Sequence, residues 1–80
     1  MEKFVTDYIS NPKSDKWNSP DYPYDVSYVR VKNKISANSQ NVFKGFMQCR
    51  SIEQATTIIE YWNRHDDSGT YILVSAKKRE

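Results

Sequence analysis

The sequence predicts a small α+β domain in which one main helix packs on one face of a three-stranded, mostly antiparallel sheet. The first indication is composition: six Val, six Ile and six Tyr stand against one Leu and three Ala, and β-branched and aromatic residues favour strands. The second is the order of the hydrophobic patterns, because two alternating segments precede one segment of helical period and a final alternating segment. With 80 residues, the chain is expected to form a single domain over residues 1–80.

Residues 1–23 are expected to form a short helix and a long irregular loop, before a β-β-α-β core over residues 24–80. The apolar residues with helical spacing are Phe4, Val5, Tyr8 and Ile9. Asn11-Pro12 ends that helix, because the residue before a proline avoids helical geometry. The loop that follows carries Trp17 and Tyr22. These rings either wait for a partner or, as we favour, pack back on the core, since a small core needs aromatic area.

Alternation predicts the first two strands, at residues 24–36 and 41–50, joined by a turn at 37–40. The buried face of the first strand is predicted to hold Val29, Val31 and Ile35, and its solvent face Tyr24, Val26, Tyr28, Arg30, Lys32 and Lys34. The buried face of the second is predicted to hold Phe43, Met47 and Cys49, and its solvent face Val42, Lys44, Phe46, Gln48 and Arg50.

A helix is predicted from Ser51 to about His65. Ser51 and Gln54 fit a capping box, in which the serine hydroxyl accepts from the Gln54 amide. The buried side of the helix is predicted to hold Ile52, Ala55, Ile59 and Trp62, with Ile58 at its margin. Asp66 to Gly69 then form a turn. The last strand, at residues 70–78, is predicted to bury Ile72, Val74 and Ala76 and to expose Tyr71, Leu73 and Lys77.

The residues offer little to an enzyme. His65 is the single imidazole and Cys49 the single thiol, and Cys49 is predicted to face the core, where a small buried thiol is ordinary. Asp66 and Asp67 are too few ligands for a metal site. We therefore expect no catalytic residue, no metal and no cofactor.

A reducing cytoplasm is the expected location, because one cysteine cannot form an internal disulfide. The sequence also lacks a run of about 18 apolar residues, so no membrane span is expected.

The predicted solvent face of the sheet is the candidate binding surface. Residues 24–50 carry five basic residues and one acidic residue, a net charge of +4, whereas the segments before and after each sum to −1. The candidate partner-binding residues are Tyr28, Arg30, Lys32, Lys34, Lys44, Phe46, Arg50 and Tyr71, with Trp17 and Tyr22 as secondary candidates. Three alternatives stay open: a protein interface, a surface that stacks bases and binds phosphates, and a merely solvated face.

Two resemblances bear on these alternatives. In the run from Val42 to Ala55, a strand ends in Ser-x-x-x-Ala (Ser51 to Ala55) at a helix start, which resembles the three-stranded DNA-binding domain of plant ethylene-response factors and of phage integrase arms. That resemblance implies nucleic-acid binding. The small size, β-β-α core and aromatic-rich surface also resemble small phage-encoded proteins that act against host machinery, including anti-CRISPR proteins. This second resemblance implies a non-catalytic inhibitor that occludes a host or defence protein or nucleoprotein complex.

Overall fold

In the structure, a computed structural model that describes residues 2–35 and 37–79, two helices accompany one three-stranded sheet. The helices are α1 (Glu2–Thr6) and α2 (Ile52–His65), and the strands are β1 (Tyr24–Lys32), β2 (Val42–Cys49) and β3 (Gly69–Lys78). β1 is central and runs antiparallel to both neighbours. The predicted α+β class and element order are confirmed, although β1 ends before residue 36. Ser36, like Met1 and Glu80 of the predicted 1–80 domain, lies outside the described residues.

The capping prediction for α2 is confirmed at its N-terminus. The Ser51 hydroxyl accepts from the Gln54 amide at 2.9 Å. The Gln54 side chain also turns back, but its oxygen accepts from the amide of Arg50, at 2.6 Å, rather than from that of Ser51. One prediction was wrong: Ile52 is half exposed whereas Ile58 is fully buried, because the buried side of the helix is formed by Gln54, Ala55, Ile58 and Ile59, and Ile52 lies at its margin.

Gln54 also fixes the N-terminal segment to the helix. Its side-chain nitrogen donates to the carbonyls of Phe4 and Asp7, at 2.8 and 2.7 Å, and the whole residue is buried. Beyond α1, Ile9 pairs with Gln48 through two backbone hydrogen bonds on the outer edge of β2. The predicted short helix is confirmed, but it ends before Ile9.

The side of β1 that faces α2 is the opposite of the predicted one. Val26 is buried, and Tyr24 and Tyr28 pack against the core, so the residues assigned to solvent face the helix. Val29 and Val31 consequently lie on the far side of the sheet. The physical reason is area: two tyrosine rings and a valine remove more apolar surface from water than two valines do. Ile35, the third residue assigned to the core, lies past the end of β1 and is 74 % exposed.

The prediction for β3 was also wrong at the centre of the strand, because a bulge there changes which residues face α2. Ser27 pairs with Ser75 but Tyr28 pairs with Leu73, which leaves Val74 as an extra residue. A bulge of this kind shifts the side to which later residues point. Tyr71 and Leu73 therefore face α2, and Ile72 and Val74 point away from it, whereas Ala76 faces the core as predicted.

β2 follows the predicted alternation, but Gln48, which was assigned to solvent, is buried. Met47 and Cys49 are fully buried under α2. Gly45 lies on the same side, and the Tyr28 ring crosses directly over it, so that a Cβ at Gly45 would meet the ring Cε2 atom at 2.5 Å. The core shared by β1, β2, α1 and α2 consists of Val5, Val26, Met47, Cys49, Ala55, Ile58 and Ile59.

Candidate partner-binding surface

The face of the sheet opposite α2 has no helix on it within the described part of the chain, and we call it the open face. Its apolar side chains are Val29 and Val31 on β1, Val42 and Phe46 on β2, and Ile72 and Val74 on β3. Phe46 and Val74 are each 61 % exposed, Ile72 is 49 % exposed and Val42 is 48 % exposed. Four large apolar side chains thus stand in water on one side of one small sheet.

The strand pairings place these side chains next to one another. Val31 pairs with Val42 across one strand boundary, and Val29 pairs with Ile72 across the other. Lys44 is the other neighbour of Val29 and interrupts the apolar surface with a charge. Cross-strand partners on one face lie about 4.5–5.5 Å apart, so each of these pairs is in close reach. The exposed apolar side chains therefore form a patch that Lys44 and the Ser27–Ser75 pair interrupt.

The N-terminal loop closes one end of the open face and forms a pocket there of about 540 Å³. Pro12, Trp17 and Asn18 supply the loop side of this pocket. The sheet side is supplied by Asp25, Val26, Ser27, Phe46, Met47, Gln48, Ser75 and Lys77. Its volume falls in the range of about 300–1,000 Å³ that is typical of binding pockets.

Buried hydrogen bonds hold the loop in place. Gln48, which points to the open face but is buried beneath the loop, accepts from the Asn18 amide at 2.6 Å and donates to the Asn18 side chain at 3.0 Å. Asn18 has a left-handed backbone, with φ of 68°, which asparagine tolerates better than most residues. Arg79 adds a backbone bond to Pro23 and a side-chain bond to the Ser19 carbonyl.

Short local turns give the loop its shape. Asn11, Ser14 and Ser19 each accept a bond from the amide two residues later with their side chains, and one from the amide three residues later with their carbonyls. Side chains of Asn and Ser favour such turns because they imitate a backbone turn. The loop is therefore built from successive turns, in agreement with its turn-forming composition.

The structure divides the predicted binding residues between two faces. Lys44 and Phe46 lie on the open face, and Trp17 lies at the end of it. Tyr28 and Tyr71 were expected on this face, but they pack under α2 against the core. They lie on that side because of the side of β1 that faces α2 and the bulge in β3.

Tyr28 and Tyr71 belong to a cluster of rings around Trp62. The Trp62 ring lies 5.2 Å from each of them and 5.8 Å, edge-on, from that of Tyr8. Burial raises the pKa of Tyr8, Tyr28 and Tyr71. These rings stabilise the contact between helix and sheet, so they are not available for stacking on a ligand.

Arg30, also predicted to bind a partner, is held by the turn after α2. Its Nη2 donates to the Ser68 hydroxyl at 2.6 Å, and its Nε lies 3.4 Å from the Asp66 carboxylate. Asp66 further accepts from the hydroxyls of Ser68 and Tyr71 and from the Ser68 amide. These bonds, led by the one from the Ser68 hydroxyl, hold the pKa of Asp66 well below its ordinary value.

The other predicted cations lie at two places away from the open face. Lys32 and Lys34 line a polar depression of about 470 Å³ beside Arg30 and Ser68, and the Lys32 Nζ lies 5.5 Å from the Phe43 ring. Arg50, just after β2, pairs with Asp7 at 2.6 Å.

Tyr22, a secondary candidate, is buried rather than available to a partner. Its hydroxyl donates to Asp7 at 2.5 Å, and the Arg50 guanidinium lies 4.8 Å from its ring. The bond to Asp7 raises the pKa of Tyr22. The expectation that the loop rings pack back on the core is therefore confirmed for Tyr22, whereas Trp17 is half-buried and lines the pocket.

Cys49 and His65 lie in different environments. Cys49 is fully buried, and burial raises the pKa of its thiol to about 12. His65 is exposed at the end of α2 and stacks on Tyr61. Across residues 2–35 and 37–79, no three side chains of His, Cys, Asp or Glu come together as a metal site would require. Neither helix in this part of the chain has the length and apolar run needed to cross a bilayer.

Sequence reasoning missed most of the apolar residues of the open face. Ile72 and Val74 were assigned to the core, and their misplacement depends on a bulge for which the sequence carries no glycine or other signal. Val42 was assigned to the solvent face but not to the binding site. Val29 and Val31 could have been placed by noting that polar Asp25 and Ser27 share their alternation, so this face of β1 begins polar and ends apolar.

Comparison of the chain with protein-family models, with curated proteins and with solved structures found no match in any of the three. The resemblances noted in the sequence therefore stay expectations. The surface itself is the evidence that bears on function: it has an apolar patch with two lysines and a pocket at one end.

Proposed function

We propose that this chain is a non-catalytic binding protein, which acts by covering part of the surface of another macromolecule with its open face. The observation that carries the proposal is the patch of exposed apolar side chains on this face, among which Phe46 on β2 and Ile72 and Val74 on β3 are the most exposed. Monomeric proteins rarely leave such patches in water, and those that exist commonly mark interaction sites. The resemblance to small phage proteins makes a host or defence complex in the cytoplasm the partner class to test first.

The energetics of the patch favour a protein partner. Burying apolar surface contributes about 25 cal/mol per Å², and the centres of protein interfaces are more apolar and less charged than the remaining surface. The helix side of the sheet already has its aromatic rings packed against α2. Only the open face leaves large apolar side chains of the sheet without a covering element among the described residues, so association there removes the most water-exposed apolar area.

Nucleic-acid binding is the alternative that the sequence raised, and the arrangement of rings and arginines supports it less. Of the rings assigned to a stacking surface, Tyr28 and Tyr71 are packed around Trp62. Arg30 and Arg50 are engaged with Asp66 and Asp7. Single-strand binding sheets need exposed rings beside unpaired cations, whereas this open face presents mainly aliphatic side chains.

The proposal is tested by capturing partners from a bacterial lysate with the wild type and two variants. Ile72→Glu combined with Val74→Glu places charges in the patch. Ile52→Glu is the control, because Ile52 lies on α2, away from the open face, and is about as exposed as Ile72. We expect one protein partner that the open-face variant loses and the control retains. Its binding should persist after nuclease treatment and weaken only modestly between 50 and 200 mM salt, whereas binding through several phosphates falls about 10³–10⁵-fold over that range.

Retention of the partner by the open-face variant would contradict the proposal. Recovery of nucleic acid alone, with a steep salt dependence, would establish the alternative.

A further inference from the structure

We propose that the pocket between the N-terminal loop and the open face receives a bulky apolar side chain from an acidic segment of the protein partner. In this arrangement the apolar side chain lies between Trp17 and Phe46, and Lys77 and Lys44 pair with carboxylates that flank it. The inference rests on the proposed function and names the chemistry of the partner. Three features lead to it: the loop wall is hydrogen-bonded to the sheet, the serine, glutamine and aspartate side chains of the walls are already bonded, and one lysine lines the pocket with a second nearby.

The pocket exists before any partner arrives, because its loop wall is tied to the sheet. Gln48 makes two hydrogen bonds with Asn18 and a third, at 2.8 Å, with Asp25. Since Gln48 is 1 % exposed, the glutamine end of each bond is shielded from water. A preformed site spares the partner the cost of ordering a loop on binding.

An apolar occupant would leave the serine, glutamine and aspartate side chains of the pocket walls paired as they are. The hydroxyls of Ser27 and Ser75 bond to each other at 2.8 Å. The Asp25 carboxylate accepts from Gln48 and from the Arg79 guanidinium, the latter at 2.9 Å. Because burial of an unsatisfied polar group is costly, a pocket whose polar groups are already satisfied favours an apolar ligand over a polar one.

The walls supply the matching apolar surface. Pro12 and Trp17 stand on the loop side and Phe46 on the sheet side, and Phe46 keeps most of its ring in water. Large, rigid rings in such positions are typical of the residues that dominate protein–protein binding energy. A volume of about 540 Å³ accommodates a Phe, Leu or Trp side chain together with part of its neighbouring residues.

Charge decides between an acidic partner and a second copy of this chain. Lys77 lines the pocket, and Lys44 lies two residues from Phe46 on the same face. Neither lysine belongs to the ion pairs found in the described residues, whereas the one acidic group of this region, Asp25, is paired with Arg79. The open face therefore has a net positive charge. A second copy would bring lysines toward lysines, whereas an acidic segment complements them.

The test is selection from a display library of random dodecapeptides on the immobilised full chain, at 50 mM salt. We expect the enriched peptides to share one bulky apolar residue with two or more Asp or Glu within three positions of it. The most enriched peptide, synthesised with a fluorophore, is then titrated by fluorescence anisotropy against the wild type and four variants.

The variants distinguish the contribution of the apolar contacts from that of the lysine charge, and both from a loss of folding. Trp17→Ala and Phe46→Ala should each raise the Kd of the peptide at least tenfold, and Lys77→Glu should raise it by a similar factor. Lys78→Glu is the matched control, because Lys78 is also exposed but is not among the residues that line the pocket, and its Kd should stay within about threefold of wild type. Thermal unfolding of each variant checks that the fold is intact. A peptide with its acids replaced by Lys should bind Lys77→Glu better than it binds the wild type.

Several results would overturn the inference. Enrichment of basic peptides, or of acidic ones without an apolar residue, would contradict the proposed ligand. Equal affinity for wild type, Phe46→Ala and folded Trp17→Ala would place the binding elsewhere. A wild-type dimer in sedimentation that Phe46→Ala converts to monomer would make a second copy the occupant.

The failure of this inference is distinct from that of the proposed function. If Ile72→Glu combined with Val74→Glu loses the natural partner while Trp17→Ala and Lys77→Glu retain it, the open face binds but the pocket is no anchor. If all these variants retain the partner, both proposals are wrong.

Discussion

Replacement of Gln54 is the perturbation whose consequence the structure defines best. The residue is fully buried and its side chain makes three hydrogen bonds, one with the Arg50 amide and two with the carbonyls of Phe4 and Asp7. At about 0.5–1.5 kcal/mol each, Gln54→Ala should lower the free energy of unfolding by about 2–4 kcal/mol. For a chain of 80 residues the expected total is about 4–12 kcal/mol.

Urea denaturation followed by circular dichroism at 222 nm measures this loss. With a slope of about 1 kcal/mol per M for so small a protein, the urea midpoint should fall by about 2–4 M. Amide hydrogen exchange adds a local measurement: the Ile9 amide, which bonds to the Gln48 carbonyl, should lose protection because the N-terminal segment detaches. Glu60→Ala is the control, since Glu60 is exposed on the same helix and should change stability by less than about 0.5 kcal/mol.

Gln54→Glu is a sharper test, because it keeps the shape of the side chain and replaces the donating nitrogen with an accepting oxygen. At neutral pH its carboxylate directs oxygen at the carbonyls of Phe4 and Asp7, so folding disfavours the charged form and raises the carboxyl pKa above its unfolded value of about 4.3. The penalty should be full above the folded pKa and decline as pH falls through it toward 4.3. A Gln54→Ala protein within 0.5 kcal/mol of wild type, or a Gln54→Glu penalty independent of pH, would refute this reasoning.

Four other predictions concern stability and reactivity. Gly45→Ala should cost about 1–3 kcal/mol through overpacking and should alter near-ultraviolet circular dichroism, because the added methyl displaces the Tyr28 ring. Cys49 should react with a disulfide reagent at pH 8 only in denaturant, since burial raises the pKa of its thiol to about 12; rapid labelling of the native protein would contradict its placement. Ser51→Ala should lower stability by about 1 kcal/mol in urea titrations through loss of the cap. Because the pKa of Asp66 is held below its unfolded value, wild-type stability should fall as pH drops below about 4, and Asp66→Asn should fall less steeply.

The parts of the fold that could be predicted are those governed by local chemistry. The start of α2 follows from the Ser51 hydroxyl, and the orientation of β2 from Met47 and Cys49, because the other alternating set contains Lys44, Gln48 and Arg50. β1 was ambiguous, since both alternating sets contain apolar residues: Val26 in one and Val29 in the other. The local sequence pattern cannot decide which of the two sets is buried. The packing against α2 decides it, and Tyr24, Val26 and Tyr28 are the β1 residues that pack in the core.

The error in β1 and β3 had a consequence for function. It moved the apolar residues Ile72 and Val74 into the core and the rings Tyr28 and Tyr71 onto the surface, so the sequence predicted a basic aromatic face where the structure has an apolar one. Phe46 was placed correctly, because β2 contains no bulge and its buried set is unambiguous. The pocket was beyond sequence reasoning, since it depends on Gln48 bonding a loop thirty residues away.

If the open face is the binding surface, as we propose, the sheet should not associate through its edges, and each edge carries a feature that opposes strand pairing. On the outer edge of β3, the Asn63 side chain accepts from the Tyr71 amide at 2.6 Å and donates to its carbonyl at 2.9 Å, which fills the bonds that an added strand would use. On the outer edge of β2, Ile9 occupies the groups of Gln48, and Lys44 places a charge on the remaining length. Charged residues and covered backbone groups are established ways to keep edge strands from associating. Since each edge is covered at one residue while the open face has no covering element among the described residues, the proposed function predicts a face-on contact with a partner whose surface complements the apolar side chains and lysines.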